Sequence, residues 1–329
     1  MQKLEKFIPL QKALADFGGD EVSRAVVERA VAENSWFTPR DVIASLRAIS
    51  ADMLSPHALE QWLVRYPGLP VASPRSVLVF MAGNIPAVGF ADLLCVLAAG
   101  HRAVVKYSSR DTALMEYVVS LLTEEFDIKT YDPATDSPDA LLAMGSDSTA
   151  AMLQQQFGAI PRLIRASRTS VAVLTREESD AQLAALCEDI CRYDGRGCRS
   201  VSRLLVPSGY DFTPLKRALT QVEVSAKWRA VYTHNRALAL MSGAEVVDAG
   251  VALLQPSDEA PMNIATLHYT EYSNHAQAVE WIAERDSEIQ CIVAASFDHP
   301  RCVPFGMAQH PSLTDYPDGI DTMAWLSTL

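Results

Sequence analysis

The sequence predicts an α/β protein made of two units that follow an N-terminal helical segment. Short apolar runs such as SVLVF and AVVKY alternate with amphipathic helical patterns after residue 66, which is typical of parallel sheets covered by helices. The same alternation starts again after residue 174, in SVSRLLVP and IQCIVAAS. A chain of 329 residues, with 49% hydrophobic and 21% charged residues, is long enough to form two such units.

Residues 1–66 are predicted to be helical. Thr38-Pro39 and Ser55-Pro56 each combine an N-cap residue with a proline at the first helical position, and apolar residues recur behind them at helical spacing. The proline- and glycine-rich connector PGLPVASP then separates this segment from the first α/β unit.

Residues 67–174 are predicted to form a Rossmann-like domain. Strands are expected in SVLVF, AVVKY and ALLAMG, with two more in PRLIR and SVAVLT. The helices between them are expected in GFADLLCVLAAG, which ends at Gly100, and in DTALMEYVVSLLTEEF. Crossovers between parallel strands are right-handed, so the helices should cover both faces of the sheet.

Residues 175–303 are predicted to form the second unit. Thr175 and Glu178 fit a capping box that opens the helix EESDAQLAALCEDI. The segments IATLHYTEY, HAQAVEWIAER and IQCIVAAS then predict strand, helix and strand. Residues 304–329 are expected to pack back on the core.

Composition disfavours several classes of function. The net charge of −12 disfavours a nucleic-acid-binding or anionic-membrane surface. The N-terminus has no apolar run of signal-peptide length and no run approaches a membrane span, so we expect a cytoplasmic protein. The cysteines are too few and scattered for a secreted disulfide framework; they are Cys95, Cys187, Cys191, Cys198, Cys291 and Cys302.

The stretch CRYDGRGCRS, residues 191–200, allows three interpretations. A nucleotide-binding G-x-G loop is disfavoured, because that loop follows a strand and opens a helix, whereas here the order is reversed. A metal cluster is disfavoured, because no CxxC or HxxxH occurs. Cys187 and Cys191, four residues apart on one helix, are interpreted as core residues instead.

The third interpretation makes Cys198 a nucleophile. Gly195 and Gly197 allow a sharp turn and a close approach of substrate, and Arg196 and Arg199 offer positive potential for a thiolate. The backbone N–H of such a cysteine is also an oxyanion donor. From residues 191–200 alone, a structural turn whose cysteine has no catalytic role is an equally good interpretation.

Four motifs in order extend the comparison beyond this window. They are AGNIP within MAGNIPAVGF (residues 81–90), KYSSRD (106–111), GSD (145–147) and GCRS (197–200). Together they resemble the acyl-CoA reductase family of the aldehyde dehydrogenase superfamily, which includes the LuxC-type fatty-acyl reductase of bacterial bioluminescence. The ending VPFGMAQHPSLTDYPDGIDTMAWL is similar to that family's as well. The resemblance runs from residue 67 to the C-terminus and implies an aldehyde dehydrogenase-like fold, with a cofactor domain and a catalytic domain.

The resemblance implies roles for two catalytic residues. Cys198 would attack the acyl thioester and form an acyl-enzyme. The side-chain amide of Asn84 and the backbone N–H of Cys198 would form the oxyanion hole, a role that suits an amide because it donates hydrogen bonds without titrating. Without the resemblance, Asn84 would be interpreted as a turn residue before proline.

The resemblance also implies a nicotinamide cofactor, NADPH in the first place with NADH left open. Lys106 and Ser108 match the positions that bind the adenosine ribose. Gly145 and Ser146 match the turn near the pyrophosphate, where helical N–H groups favour an anion. Glu259 is matched to the glutamate on the nicotinamide ribose, although PMN departs from the family's Phe-Gly-Pro. The alternatives are a strand-end lysine at Lys106 and plain helix capping at Ser146.

One departure bears on the direction of the reaction. Oxidising relatives carry a glutamate in Glu-Leu-Gly-Gly that helps water attack the thioester, whereas the matching stretch LIRASRTSVAVL (residues 163–174) has no carboxylate. A missing general base slows hydrolysis by a factor of about 10² to 10⁴, and hydride delivery needs no such base. The family's histidine in this stretch is replaced by Ser167 or a neighbour.

We therefore expect NADPH-dependent reduction of an acyl-CoA or other acyl thioester to an aldehyde through a thioester on Cys198. The alternatives are a CoA-acylating aldehyde dehydrogenase that runs oxidatively, a non-catalytic cofactor-binding subunit of an acyl-transfer complex, and a metal-binding redox module. An acyl-activating partner protein, the oligomeric state and the acyl chain length are left open.

Overall fold

The computed structural model describes residues 5–329 and divides the chain into two compact units. The first unit contains the chain up to Ser167 together with Pro311–Leu329, and the second is Arg168–His310. This boundary falls earlier than the one predicted after residue 174, because the strand Thr169–Val173 pairs with strands of the second unit. The cofactor-binding and catalytic roles of the units stay predictions.

The first unit is built on a parallel five-stranded sheet in the order β3-β2-β1-β4-β5. The central strands are buried along most of their length, which explains their nearly continuous apolar sequences. The strands are β1 (Ser76–Phe80), β2 (Arg102–Lys106), β3 (Ile128–Thr130), β4 (Ala140–Met144) and β5 (Arg162–Arg165).

Within residues 5–329, four α-helices precede this sheet and three connect its strands. The two predicted starts are confirmed: the side chain of Thr38 accepts the N–H of Asp41, and that of Ser55 accepts the N–H of Ala58. Gly100 ends its helix as predicted, in the left-handed conformation. The helices are α1 (Ile8–Ala15), α2 (Glu21–Glu33), α3 (Pro39–Ala48), α4 (Pro56–Leu63), α5 (Phe90–Ala99), α6 (Thr112–Ser120) and α7 (Asp147–Gln156).

The second unit contains a seven-stranded sheet in the order β12-β11-β6-β7-β10-β9-β8. Neighbouring strands are parallel except β8 and β9, which are antiparallel. The strands are β6 (Thr169–Val173), β7 (Val201–Pro207), β8 (Val247–Asp248), β9 (Leu253–Pro256), β10 (Thr266–Tyr272), β11 (Ile289–Val293) and β12 (Cys302–Val303).

The first helix of the second unit begins later than predicted. Its capping box is formed by Ser179 and Gln182, not by Thr175 and Glu178. The Glu178 carboxylate accepts the N–H of Thr175 in a preceding turn, where Arg176 has a φ of 83° and interrupts helical geometry. The helices are α8 (Asp180–Cys191), α9 (Thr213–Leu219), α10 (Ala226–Ser242) and α11 (His275–Glu284).

The C-terminal segment packs on the first unit through buried polar contacts. Its helix α12 (Thr322–Leu326) lies against α5. Thr322 accepts a hydrogen bond of 2.5 Å from Arg165, whose guanidinium also pairs with Asp92 at 2.7 Å. The C-terminal segment is therefore part of this unit's core. Among the residues described, no helix has the length and apolar character needed to cross a bilayer.

Candidate active site

Cys198 lies in a tight turn between α8 and β7. The chain leaves α8 through three consecutive residues in the left-handed region, Tyr193, Asp194 and Gly195, with φ values of 55°, 52° and 64°. A turn then forms in which the N–H of Ser200 donates to the Gly197 carbonyl at 3.0 Å. Cys198 is half-buried in this turn, between two secondary-structure elements.

A buried serine is hydrogen-bonded to the backbone of Cys198. The hydroxyl of Ser170, on β6, donates to the Cys198 carbonyl at 2.9 Å and accepts the N–H of Cys291 at 3.2 Å. Ser170 is fully buried. The carbonyl of the proposed nucleophile is therefore fixed to the sheet of its own unit.

Gly195 is required by both conformation and packing. It has a left-handed φ of 64°, and a Cβ atom there would lie 2.9 Å from the indole ring of Trp228. Trp228 is itself fixed by a hydrogen bond of 2.7 Å from its ring N–H to the Val251 carbonyl. The glycine thus serves the internal packing of the turn, whereas the sequence had suggested room for a substrate.

The cysteines on α8 differ from Cys198 in their surroundings. Burial raises the pKa of the Cys187 thiol to about 12 and also raises the pKa of Cys191. Cys187 lies within the hydrophobic core and Cys191 packs against it, which confirms their interpretation as core residues. Across the part of the chain that the structure describes, no group of three His, Cys, Asp or Glu side chains could hold a metal ion.

Asn84 lies in the loop that follows β1. The loop is fixed at its start by a backbone hydrogen bond of 3.0 Å from Met81 to Lys106, and further along by one of 2.8 Å from the Ala87 N–H to the Asp111 carboxylate. Ala87 has a φ of 55°, which is unusual for a residue with a side chain. Asn84 is half-buried within this tightly bound loop.

The structure brings Ser108 against the Asn84 loop. A Cβ atom at Gly83 would overlap the Ser108 hydroxyl, so only glycine allows this approach. Lys106, at the end of β2, donates to the Tyr107 carbonyl at 3.0 Å and lies over the Phe80 ring at 5.2 Å. The AGNIP and KYSSRD motifs therefore pack against each other in the first unit.

Gly145 and Ser146 join β4 to α7. The Gly145 N–H donates to the Arg165 carbonyl at 3.1 Å, and the Ser146 hydroxyl caps α7 by accepting the Thr149 N–H at 3.3 Å. Ser146 is exposed. Ser146 therefore has the capping role that was given as the alternative, and α7 begins three residues after the end of β4.

The five predicted site residues of the first unit lie at or just beyond the carboxyl ends of its parallel strands. The strand order places β1 between β2 and β4, so successive parallel strands are added on one side of β1 up to β3 and on its other side from β4 onwards. Open α/β sheets bind ligands outside the carboxyl ends of the strands at such a switch point. Asn84 follows β1, and the other predicted residues follow or end β2 and β4: Lys106, Ser108, Gly145 and Ser146.

Glu259 lies on an exposed loop of the second unit, between β9 and β10. Its backbone N–H donates to the Ser257 hydroxyl at 3.1 Å, and its carbonyl contacts the His268 ring at 2.7 Å. The hydrogen bonds fix its backbone. The ribose-binding role of its carboxylate stays a prediction.

Sequence reasoning missed residues that act through distant contacts. Asp111 was seen only as the end of a motif, yet it is 1% exposed and binds the Asn84 loop. Asp147 reaches the 163–174 stretch, where its carboxylate accepts the Ser167 N–H at 3.0 Å. A carboxylate therefore lies beside the stretch that has none of its own. The only sequence signal for Asp111 is its position at the start of the predicted helix DTALMEYVVSLLTEEF.

The chain matches known proteins in sequence and in fold. A family model described as acyl-CoA reductase (LuxC) matches residues 20–222, more than half of the chain. A search of curated proteins finds no match.

The fold resembles that of aldehyde dehydrogenases. Aldehyde dehydrogenase 21 from Physcomitrella patens, in complex with succinate, aligns with a TM-score of 0.70 and 13% identity over 100% of this chain and 84% of that one. NADP-dependent glyceraldehyde-3-phosphate dehydrogenase from Bacillus halodurans, complexed with NADP, aligns with a TM-score of 0.63 and 12% identity over 90% of this chain and 74% of that one. Methylmalonate-semialdehyde dehydrogenase from Oceanimonas doudoroffii aligns with a TM-score of 0.65 and 13% identity over 90% of this chain and 73% of that one. The predicted aldehyde dehydrogenase-like α/β fold is confirmed.

Proposed function

The chain belongs to the acyl-CoA reductase (LuxC) family, and from this premise we propose that it reduces an acyl-CoA, or another acyl thioester, to an aldehyde. Membership of this family and the aldehyde dehydrogenase fold support redox chemistry on aldehyde or acyl groups. The observation that carries the finer proposal is Cys198, a half-buried thiol in a turn whose backbone is fixed on both sides.

The reaction begins with attack of the Cys198 thiolate on the acyl carbon. A bond forms between Sγ and the acyl carbon, the bond to the coenzyme A sulfur breaks, and that sulfur takes up a proton. The acyl group is then held as a thioester on Cys198, in the manner of covalent catalysis by an activated nucleophile. The hydrogen bond from Ser170 to the Cys198 carbonyl keeps the backbone in place during attack.

Asn84 is proposed to stabilise the oxyanion together with the backbone N–H of Cys198. Hydrogen bonds aimed at the developing charge are worth most when the donors are fixed beforehand, and loss of one donor typically costs about 10² to 10³ in rate. The Asn84 loop meets this condition, since its backbone N–H groups donate to the Lys106 carbonyl and to the Asp111 carboxylate and so fix both of its halves.

The residues at the switch point fit a nicotinamide dinucleotide. Lys106 presents an ammonium and Ser108 a hydroxyl for the adenosine ribose or a 2′-phosphate, and Gly145 and Ser146 open a helix whose N-terminus suits a pyrophosphate. Glu259 is proposed for the nicotinamide ribose. When bound, a reduced nicotinamide supplies the hydride that converts the acyl thioester to an aldehyde. We propose NADPH as the preferred form.

The 163–174 stretch favours reduction over hydrolysis. It contains no carboxylate to activate water, and the Asp147 carboxylate that reaches it is engaged by the Ser167 N–H. An acyl-enzyme that resists water persists long enough to accept hydride. When the carbon–sulfur bond breaks, the aldehyde is released and Cys198 is again a thiolate that can react with another acyl thioester.

The deciding experiment is intact-protein mass spectrometry after mixing with acyl-CoA and no nucleotide. We expect a mass increase of one acyl group, located on Cys198 by peptide mapping and absent from Cys198→Ala. Cys302→Ser, at another half-buried cysteine, is the matched control and should still be acylated. The reductase proposal is wrong if Cys198 carries no acyl group, or if Cys198→Ala reduces acyl-CoA at the wild-type rate.

The cofactor is tested by reductase assays with NADPH and with NADH. We expect a higher kcat/KM with NADPH, and a loss of that preference in Lys106→Ala. An equal kcat/KM for both cofactors would contradict the proposed preference. Acylation without reduction by either cofactor would favour an acyl-transfer subunit.

A further inference from the structure

A buried carboxylate that the proposed chemistry does not use lies near the end of α8. Asp189 is 1% exposed. Its two oxygens accept backbone N–H groups from one loop, Gly306 at 2.6 Å and Ala308 at 3.0 Å. Its burial raises its pKa to about 6, so the ionised form is costly in this position. An apolar side chain would fill the same volume without that cost, but it would leave both N–H groups without this acceptor, so the carboxylate serves to hold the loop.

The loop that Asp189 holds also contacts the Cys198 turn. In this 306–309 loop, the Ala308 carbonyl accepts the Arg199 Nε–H at 2.5 Å. The Gln309 side chain donates to the Ser200 hydroxyl at 3.1 Å. Arg199 and Ser200 directly follow Cys198 in the chain, so the loop is hydrogen-bonded to the residues next to the proposed nucleophile.

The loop packs tightly against α8. A Cβ atom at Gly306 would lie 3.1 Å from Ala185, which is one turn before Asp189 on α8. Ala308 is fully buried. The turn itself is closed by the Ser200 hydroxyl, which accepts the Gly197 N–H at 3.2 Å while it accepts from Gln309. Contacts therefore run without a gap from α8 through the loop to the turn that carries Cys198.

We propose that Asp189 is a positioning residue, which fixes the Cys198 turn for acyl transfer through the 306–309 loop. The inference rests on the proposed function, because it concerns the acylation of Cys198. Acyl transfer requires the attacking sulfur in one orientation, and a misplacement of about 1 Å can cost a factor of about 10². Attack by a small, freely diffusing alkylating agent does not require that orientation.

Two variants test the proposal, with a matched control. Asp189→Asn keeps the shape of the side chain but replaces one acceptor oxygen by an NH₂ group, which faces a backbone N–H. Gln309→Ala removes the hydrogen bond to Ser200 and leaves Asp189 unchanged. Glu188→Gln makes the same charge change at the neighbouring, exposed position of α8. For each protein we would measure Cys198 acylation by acyl-CoA in single turnover and Cys198 alkylation by iodoacetamide.

We expect acylation at saturating acyl-CoA to fall by about tenfold or more in Asp189→Asn. In Gln309→Ala, which loses one hydrogen bond, it should fall by about threefold or more. The half-saturating concentration of acyl-CoA and the rate of alkylation should stay within about twofold, since neither depends on the orientation of the sulfur. Glu188→Gln should behave as wild type in both assays.

The proposal is overturned if both variants are acylated within about twofold of the wild-type rate. It is also overturned if acylation and alkylation fall together, because that result would indicate a buried or misfolded turn. If Asp189→Asn does not fold, Gln309→Ala decides by the same criteria. Wild-type protein that is not acylated on Cys198 would refute the proposed function, and this inference with it. Acylated wild type with unaffected variants would refute the inference alone.

Discussion

The buried ion pair between Arg165 and Asp92 provides the sharpest test of how the first unit is held together. One guanidinium nitrogen of Arg165 contacts both Asp92 oxygens, at 2.7 and 3.0 Å, and the other donates to Thr322 at 2.5 Å. The two side chains are 1% and 7% exposed. Asp92→Ala leaves a buried cation without its anion, and we expect the free energy of unfolding to fall by about 3 to 5 kcal/mol.

The assay is urea unfolding followed by circular dichroism, with hydrogen exchange of β1 peptides to assign the transition to the first unit. With a slope of about 3 kcal/mol per molar urea, the expected midpoint shift is about 1 to 1.7 M. Asp180→Ala is the matched control, because it breaks an exposed pair with Arg217 and should cost no more than about 1 kcal/mol. The double variant Asp92→Leu/Arg165→Met should recover most of the lost stability, since no charge is then buried alone.

A cost below about 1 kcal/mol for Asp92→Ala would refute this reasoning, because it would mean that water reaches the guanidinium. A double variant less stable than Asp92→Ala would refute it as well, because packing and not charge would then dominate. The outcome also bears on the proposed cofactor turn, since the Arg165 carbonyl accepts the Gly145 N–H.

Three further predictions concern the described side chains. Asp111→Ala should lower the free energy of unfolding by about 1 to 3 kcal/mol, because it leaves the buried Ala87 N–H without its acceptor. Asp111→Asn keeps an acceptor oxygen and should cost less. Equal costs in the two variants would contradict this explanation. Burial lowers the pKa of His101 in the folded protein. The contribution of neutral His101 to the free energy of unfolding is therefore complete above pH about 6.5 and is lost as the pH falls through the folded-state pKa. Unfolding measured between pH 7 and 5 should show this loss in wild type but not in His101→Gln. Gly195→Ala should destabilise by more than Gly209→Ala in thermal unfolding, because both have a positive φ of about the same size but only Gly195 packs against an indole ring; a smaller cost at Gly195 would show that the ring moves aside.

Regular elements were predictable wherever local sequence and burial agree. The strands SVLVF and AVVKY and the helix ending at Gly100 are found as expected, because a sheet buried on both faces requires apolar runs and a left-handed helix end favours glycine. Register at a helix start was less predictable. Both Thr175–Glu178 and Ser179–Gln182 fit the capping pattern, and a positive φ at Arg176 decides for the second pair.

Helix α10 was not predicted, although it is the longest helix described. Of its residues only Trp228 and Asn235 are buried, so its apolar residues do not form a clear stripe. Its position depends on single contacts, such as the hydrogen bond of 2.9 Å from Asn235 to the Ile264 carbonyl. Contacts of this kind leave no local pattern in the sequence.

The sequence alone determined the two α/β units, the order of the family motifs and the choice of Cys198 over its neighbours as the candidate nucleophile. These features depend on local periodicity and on motif residues that are close in the chain. Only the tertiary structure decided which residues support the turn and the Asn84 loop. Asp189 and Asp111 act on backbone groups from other segments, more than a hundred residues away for Asp189. Burial of a carboxylate is stable only where folding brings donors to it, and no local spacing records where those donors come from.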